Sequence, residues 1–164
     1  MTLTSVLPTL RRSIPDPLDP DRWPEHTRAT VADVVVAGVS MCRLVELCGT
    51  PCVHTAAASL PGTGGRPSPV DDRAVAVMTV AAVRVDDGTA TIDLDAAVDD
   101  IGACWPELRL LGRASVAHER HFLIARTGVR GAGSVEVTLP GDLVTGDVLV
   151  VPCEAPLSLS RLRR

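Results

Sequence analysis

The fold is decided by the stretch Val75–Leu94, whose sequence is VAVMTVAAVRVDDGTATIDL. Val75–Asp86 is a long apolar run rich in β-branched residues, and such runs favour a strand. Asp87-Gly88 is a tight hairpin signal, because the two central residues of the favoured turn need positive φ. Thr89–Leu94 then completes an antiparallel hairpin.

Further short strands are predicted after this hairpin. Val135–Leu139 alternates apolar and polar residues, as a half-buried strand does, and Gly131–Gly133 is predicted to be a turn. The other predicted strands are Leu108–Val116, His121–Thr127 and Asp147–Pro152. Strands at such short intervals predict a mainly β fold, a small antiparallel β-barrel or sandwich.

One short N-terminal helix is predicted in the first third of the chain. Residues 30–39 are rich in Val and predict a strand. Ser40 can cap a helix over residues 41–48, whose apolar positions keep helical spacing, and Gly49 ends it. Residues 95–104 are expected to form one or two further helical turns.

Two segments are predicted to be irregular. Residues 1–28 contain five prolines, and we expect an extended arm, because proline fixes φ and lacks an N–H. Residues 56–73, rich in glycine and proline, are expected to be a flexible loop. The predicted organisation is an arm over 1–28 and a single β-domain over 29–164.

Composition narrows the classes of function. The chain has 164 residues, a net charge of -4 and 2 % aromatic residues. Nucleic-acid binding is not expected, because it favours basic surfaces and aromatic stacking platforms. No apolar run approaches membrane-spanning length, so we expect no membrane partner and a cytoplasmic protein. The arginine-, alanine- and valine-rich composition suggests a GC-rich bacterial genome.

Two stretches resemble the two ends of a diaminopimelate decarboxylase, a pyridoxal-phosphate (PLP) enzyme of the alanine-racemase fold class. The first stretch, VVVAGVS over 34–40 and RLVELCGTP over 43–51, is similar to that family's opening strand, helix and GTP turn. The second, VTLPGDLVTGDVLVVP over 137–152, is similar to the closing strands of its C-terminal β-domain. Val75–Val85 resembles the strand that returns between them.

The resemblance implies a β-domain from which the PLP-binding TIM barrel is missing, with residues 56–73 in its place. The family holds PLP through a lysine, and this sequence contains none, so we expect no cofactor. The family's Cys-Glu-Ser motif would fall near Thr127-Gly128-Val129, and its tyrosine at Leu157. Gly62-Thr63-Gly64-Gly65 lacks the strand-to-helix context of a phosphate loop.

Three polar residues are candidates for catalysis. His118, Glu119 and His121 lie close together in the sequence, and a histidine near a carboxylate can transfer protons. A loop between two strands would explain the same residues.

Cysteines and aspartates suggest further sites, for which we favour structural roles. Cys48, Cys52 and His54, with the two histidines above, could ligate zinc, but no Cys-x-x-Cys pair is present. We expect thiols without metal. Cys52 and His54 form a thiol–imidazole pair only if their strand is regular. The aspartates between 86 and 100 suit turns and caps.

Two classes of function remain open. The first is a decarboxylase-like β-domain that has lost PLP chemistry and acts as a binding or assembly module in bacterial secondary metabolism. It would form a homodimer or bind a partner biosynthetic protein. The alternative is a cofactor-independent cyclase or isomerase that positions an apolar small molecule, with the arm as a lid. A packed interior favours the module, and an apolar cavity favours the enzyme.

Overall fold

The computed structural model describes residues 2–125 and 134–163, and its elements are mostly strands. The mainly β, barrel-like fold predicted from the sequence is confirmed. The helices are α1 (Leu3–Val6), α2 (Met41–Cys48) and α3 (Leu159–Leu162), with 3₁₀ turns at Pro8–Arg12 and Trp105–Glu107. The strands are β1 (Arg28–Ala29), β2 (Val34–Val36), β3 (Val39–Ser40), β4 (Cys52–Ser59), β5 (Pro67–Asp86), β6 (Thr89–Leu94), β7 (Arg109–Leu111), β8 (Glu119–Ile124), β9 (Val135–Pro140) and β10 (Val148–Pro152).

Strand β5 is the central element of the larger sheet. Its first half pairs with β4, its middle with β10 and its last part with β6, always antiparallel. The predicted hairpin is confirmed, with Asp87 and Gly88 at φ 46° and 82° between β5 and β6. Two sides of the barrel therefore depend on one continuous strand.

The sheet curves into a barrel that does not quite close. Its strand order is β7-β10-β5-β6-β8-β9, and β4 joins it by pairing with β5. We call the gap between β7 and β9, its two end strands, the seam. One pair, β6 with β8, is parallel, which differs from the predicted antiparallel sheet. The chain crosses over through residues 95–118 between these strands, and a parallel pair requires such a crossover.

Side chains fill the interior of the barrel. Met78, Ile92, Phe122 and Leu149, each at most 2 % exposed, are among the twenty buried residues of the main core. Burying this apolar area is the main favourable contribution to folding.

A second, smaller core lies between the sheet β1–β3, helix α2 and the outer face of β5. Trp23, from the N-terminal arm, is fully buried here against residues such as Val36, Met41 and Val75. Helix α2 has the predicted bounds, and the Ser40 hydroxyl accepts the Arg43 N–H at 3.0 Å as its cap. The arm is therefore part of the packed fold.

The structure corrects two predicted irregular segments. Residues 1–28 are not simply extended, because α1 and a 3₁₀ turn begin them and Thr4, Pro8 and Arg11 are buried. The expected loop 56–73 is mostly strand, since β4 continues to Ser59 and β5 starts at Pro67. Prolines are tolerated there because that end of β5 lies beyond its pairing with β10.

Other predicted bounds also change. Residues 95–104 form turns and bends in place of the predicted helical turns. A 3₁₀ turn follows them, at Trp105–Glu107. The predicted strand 108–116 is strand only at β7, since Gly112 turns the chain at φ 83°. The predicted strand 30–39 is broken by Ala37 and Gly38, both at positive φ. The predicted turn Gly131–Gly133 and the end of strand 121–127 lie outside the described residues.

Candidate functional site

A cleft of about 350 Å³ lies at the seam of the barrel. Its walls come from β7, β9, the N-terminal arm and the loop before β2. The charged residues that line it are Arg11, Asp16, Asp33, Glu107, Arg109, Arg113 and Glu119. One of the three catalytic candidates, Glu119, therefore borders this cleft.

Glu119 is held by an arginine of the arm. It begins β8, and its Oε1 accepts a hydrogen bond from Arg11 Nη2 at 2.8 Å. Arg11 also donates to the Ala117 carbonyl at 3.0 Å and forms an ion pair with Asp16 at 3.1 Å. The Arg11 side chain is only 6 % exposed, whereas that of Glu119 is 40 % exposed. The geometry makes Glu119 an anchor for the arm.

The two histidines of the candidate group lie outside this contact. His118 is exposed and directly precedes β8, and its carbonyl accepts the Gly141 N–H at 2.9 Å. His121 Nδ1 lies 3.0 Å from Glu136 Oε1 on β9, and both side chains are largely exposed. Glu119 therefore pairs with Arg11, and His121 pairs with Glu136. A catalytic role for His118, Glu119 and His121 stays a prediction.

A second arginine binds the arm on the other side of the seam. Arg109, on β7, donates to the Asp16 carbonyl at 2.8 Å and to the Pro17 carbonyl. Its guanidinium is 3.6 Å from Glu107, whose Oε2 also accepts the Trp23 indole N–H at 2.8 Å. Burial lowers the pKa of Arg109, and the Glu107 and Asp16 charges oppose this. Arg11 from the arm and Arg109 from the barrel therefore close the seam.

A third arginine joins β7 to the loop that follows β9. Arg113 Nε and Nη2 each lie 2.8 Å from an oxygen of Asp147, and Nη1 lies 3.1 Å from Asp142. The Ser115 hydroxyl donates to Asp142 at 2.6 Å. Burial raises the pKa of Asp142, but the hydrogen bonds from Ser115 and Arg113 outweigh it, so this pKa lies below its ordinary value.

The chemistry of the cleft follows from these pairings. Each of its three arginines already has an acceptor in the protein, and Glu119 and Glu107 each accept from the arm or a neighbouring arginine. Arg109 Nε has no hydrogen-bond partner among the described residues, but the atom is buried, so a molecule in the cleft does not reach it. These pairings hold the arm, which forms one wall of the cleft, against the barrel.

Strand β4 keeps a regular register with β5 from Cys52 to Ala57, so Cys52 and His54 share a face, as a thiol–imidazole pair requires. They lie opposite Val77 and Val75. Burial raises the pKa of Cys52 to about 11, which keeps the thiol protonated at neutral pH. Burial likewise raises the pKa of Cys42 to about 11 and of Cys153 to about 12. In residues 2–125 and 134–163, no three His, Cys, Asp or Glu side chains are placed to hold a metal ion.

Aspartates of the acidic stretch serve as local partners. Asp95 accepts the Thr79 N–H at 2.8 Å and the Thr50 hydroxyl at 2.6 Å, which ties the turn before β4 to the sheet. Asp93 forms an ion pair with Arg84 across the hairpin.

The glycine-rich loop contacts the arm. Both carboxylate oxygens of Asp21 lie 3.0 Å from the Gly62 nitrogen, so this N–H is already occupied. Leu157, at the position of the resemblance's tyrosine, is buried in the main core. Thr127-Gly128-Val129 lie outside the described residues.

Comparison with known proteins gives weak likenesses. No family model and no curated protein matches the chain. Two solved structures of the Paramecium bursaria Chlorella virus arginine decarboxylase, the first of them bound to agmatine, are similar to it at TM-scores of 0.41 and 0.39 and identities of 17 % and 16 %. Each match covers 56 % of this chain and 28 % of the viral one. None of the helices in the described residues is both long and apolar enough to cross a membrane.

Sequence reasoning missed the residues that build the seam. The sequence assigns no hydrogen-bond acceptor to four side chains, because the acceptors are up to 108 positions away along the chain. These side chains are Arg11, Arg109, Arg113 and Trp23. Glu107 and Asp142 are likewise unremarkable in sequence. A tryptophan in a proline-rich arm was the one local signal, since tryptophan is usually buried for its area.

Proposed function

We propose that this chain is a decarboxylase-like β-domain without PLP chemistry, and that it acts by binding another protein subunit through its outer surface. The sequence supplies no lysine for a Schiff base. The resemblance of residues 34–51 and 137–152 to the ends of diaminopimelate decarboxylase suggests where such a domain comes from. The single β-domain over 29–164 belongs to the same proposal.

The filled interior is the observation that carries this proposal. Side chains from β5, β6, β8, β9 and β10 meet inside the barrel, and the largest of them are at most 2 % exposed. A ligand-binding barrel instead leaves its interior open to a molecule of several hundred cubic ångströms. The surface is therefore the part of this domain that remains free to act.

The alternative, an enzyme for an apolar intermediate, gains no support from the cleft. The cleft has a ligand's volume, but seven charged side chains line it. An apolar molecule there would separate those charges from water without replacing their hydrogen bonds, which is costly. The arm that would serve as its lid is fixed by Arg11, Arg109 and Trp23.

The proposal is tested by the mass of the purified chain in solution. The first partner to test is a second copy, because most soluble oligomers are homo-oligomers. Sedimentation equilibrium from low to high micromolar concentration is expected to give a mass that approaches twice the 17.2 kDa of one chain. A monomer at every concentration would contradict the proposal in this form.

A further inference from the structure

The start of the arm buries two polar side chains and leaves several large apolar ones exposed. Thr4 and Arg11 are buried, with 2 % and 5 % of their surface exposed. Four apolar side chains of the same segment point outward, at 62 %, 52 %, 50 % and 45 % exposure for Leu3, Val6, Leu7 and Ile14, whereas Pro8 is buried and Leu10 is half-buried. We call these four residues the apolar arm face.

The buried polar groups of this segment have hydrogen-bond or ion-pair partners within the protein. The Thr4 hydroxyl lies 3.1 Å from that of Thr2, and Arg11 has the three acceptors described above. Satisfied buried groups cost little, whereas clustered exposed apolar side chains mark an interaction surface. The apolar arm face is thus a part of the arm that folding leaves exposed.

We propose that the apolar arm face is the contact through which two copies of this chain form a two-fold dimer. This inference rests on the proposed function and names its surface. In a two-fold interface the same patch meets itself, and an apolar patch is complementary to itself. The two arms would pack side by side and remove the four apolar side chains from water.

Charges beside the apolar arm face favour a second copy as its occupant. Arg12 is exposed and has no ion-pair partner in the described part of the chain. Asp16 and Glu119 share the single guanidinium of Arg11, which leaves one negative charge in excess, and both are about two-fifths exposed. A surface with one unmatched positive and one unmatched negative charge is complementary to itself. Two rim ion pairs per dimer follow.

The test introduces an aspartate into the apolar arm face. Its effect on dimer formation is compared with that of an aspartate at exposed apolar positions elsewhere on the surface. Leu7→Asp and Leu3→Asp change exposed side chains within the face. Leu47→Asp on α2 and Val70→Asp on β5 change side chains that are 69 % and 83 % exposed elsewhere. Sedimentation equilibrium is expected to show a dimer dissociation constant raised by about tenfold or more for the two face variants and unchanged for the controls.

Further variants separate the charge argument from the apolar one. Arg12→Gln is expected to weaken the dimer severalfold and to reduce its dependence on salt, whereas Arg12→Lys should retain the affinity and the salt dependence of the wild type. Circular dichroism and thermal unfolding of each variant check that the fold is retained.

The outcomes distinguish the two proposals. A wild-type dimer that the face variants leave intact overturns the apolar arm face but keeps the binding module. A wild-type monomer overturns both. Flotation with phosphatidylcholine vesicles is run beside these measurements, and vesicle binding that Leu7→Asp abolishes would assign the face to a lipid surface and overturn the dimer.

Discussion

At the scale of single residues, two neighbours in the sequence have opposite environments. Arg11 is buried with three acceptors, while Arg12 beside it is exposed. Composition and spacing do not distinguish the two arginines. The partners of Arg11 are Asp16, Ala117 and Glu119, and two of them are more than a hundred positions away. Residue roles that depend on such distant pairings are not predictable from a local pattern.

Replacement of Arg11 by methionine tests its role as an anchor. Arg11→Met leaves Asp16, Glu119 and the Ala117 carbonyl without their donor, so we expect a loss of about 1–3 kcal/mol in the free energy of unfolding. Both carboxylates are partly exposed and regain some water, which keeps the loss below that for a fully buried pair. Arg12→Met is the matched control and, at a protein concentration low enough for the chain to be monomeric, should change stability by less than about 0.5 kcal/mol. Urea unfolding measures both, and equal effects would argue against the anchor.

Asp142 gives the fold a dependence on acid. Because its pKa is lowered in the folded state, its contribution to stability is present above its ordinary pKa and is lost as the pH falls through the lowered value. We expect Asp142→Asn to be less stable than the wild type at neutral pH, and the difference to shrink below about pH 4. Thermal unfolding over this range measures it. A difference that is constant with pH would mean that Asp142 does not act through its charge.

At the scale of elements, local signals predicted local structures. The turn between β5 and β6, the bounds of β6 and those of helix α2 match their predictions, because a turn signal and a cap specify them, whereas β5 starts at Pro67, eight residues before its predicted start. The parallel pairing of β6 with β8 was not predicted, since it depends on the path of the crossover. Only the end of β4, Ala56–Ser59, falls in the predicted loop, because these are small residues next to a glycine-rich turn.

Deletion of the arm separates a structural element from a lid. Removal of residues 2–24 takes Trp23 out of the second core and Arg11 out of the seam, so we expect loss of cooperative unfolding, followed by circular dichroism during heating. A lid would leave the barrel intact when deleted. Removal of residues 2–7 alone is the control, because it keeps both anchors and should leave a cooperative transition.

At the scale of the whole molecule, the protein has a filled barrel, a seam closed by arginines, and an arm that buries Trp23 and Arg11 and exposes the apolar arm face. The sequence was sufficient to predict a mainly β barrel or sandwich with a short helix near its start. It was not sufficient to predict the seam, because Arg11, Arg109 and Arg113 meet their partners only after the barrel has formed. The same holds for the exposed side of the arm, since an isolated amphipathic turn does not specify which side it buries.

The most direct test of the central claim, that this domain acts through its surface and not its interior, is a crystal structure of the purified full chain. We predict a barrel filled by its own side chains, with two copies related by a two-fold axis through Leu3, Val6, Leu7 and Ile14. An enclosed apolar cavity inside the barrel that holds a bound molecule would contradict the account.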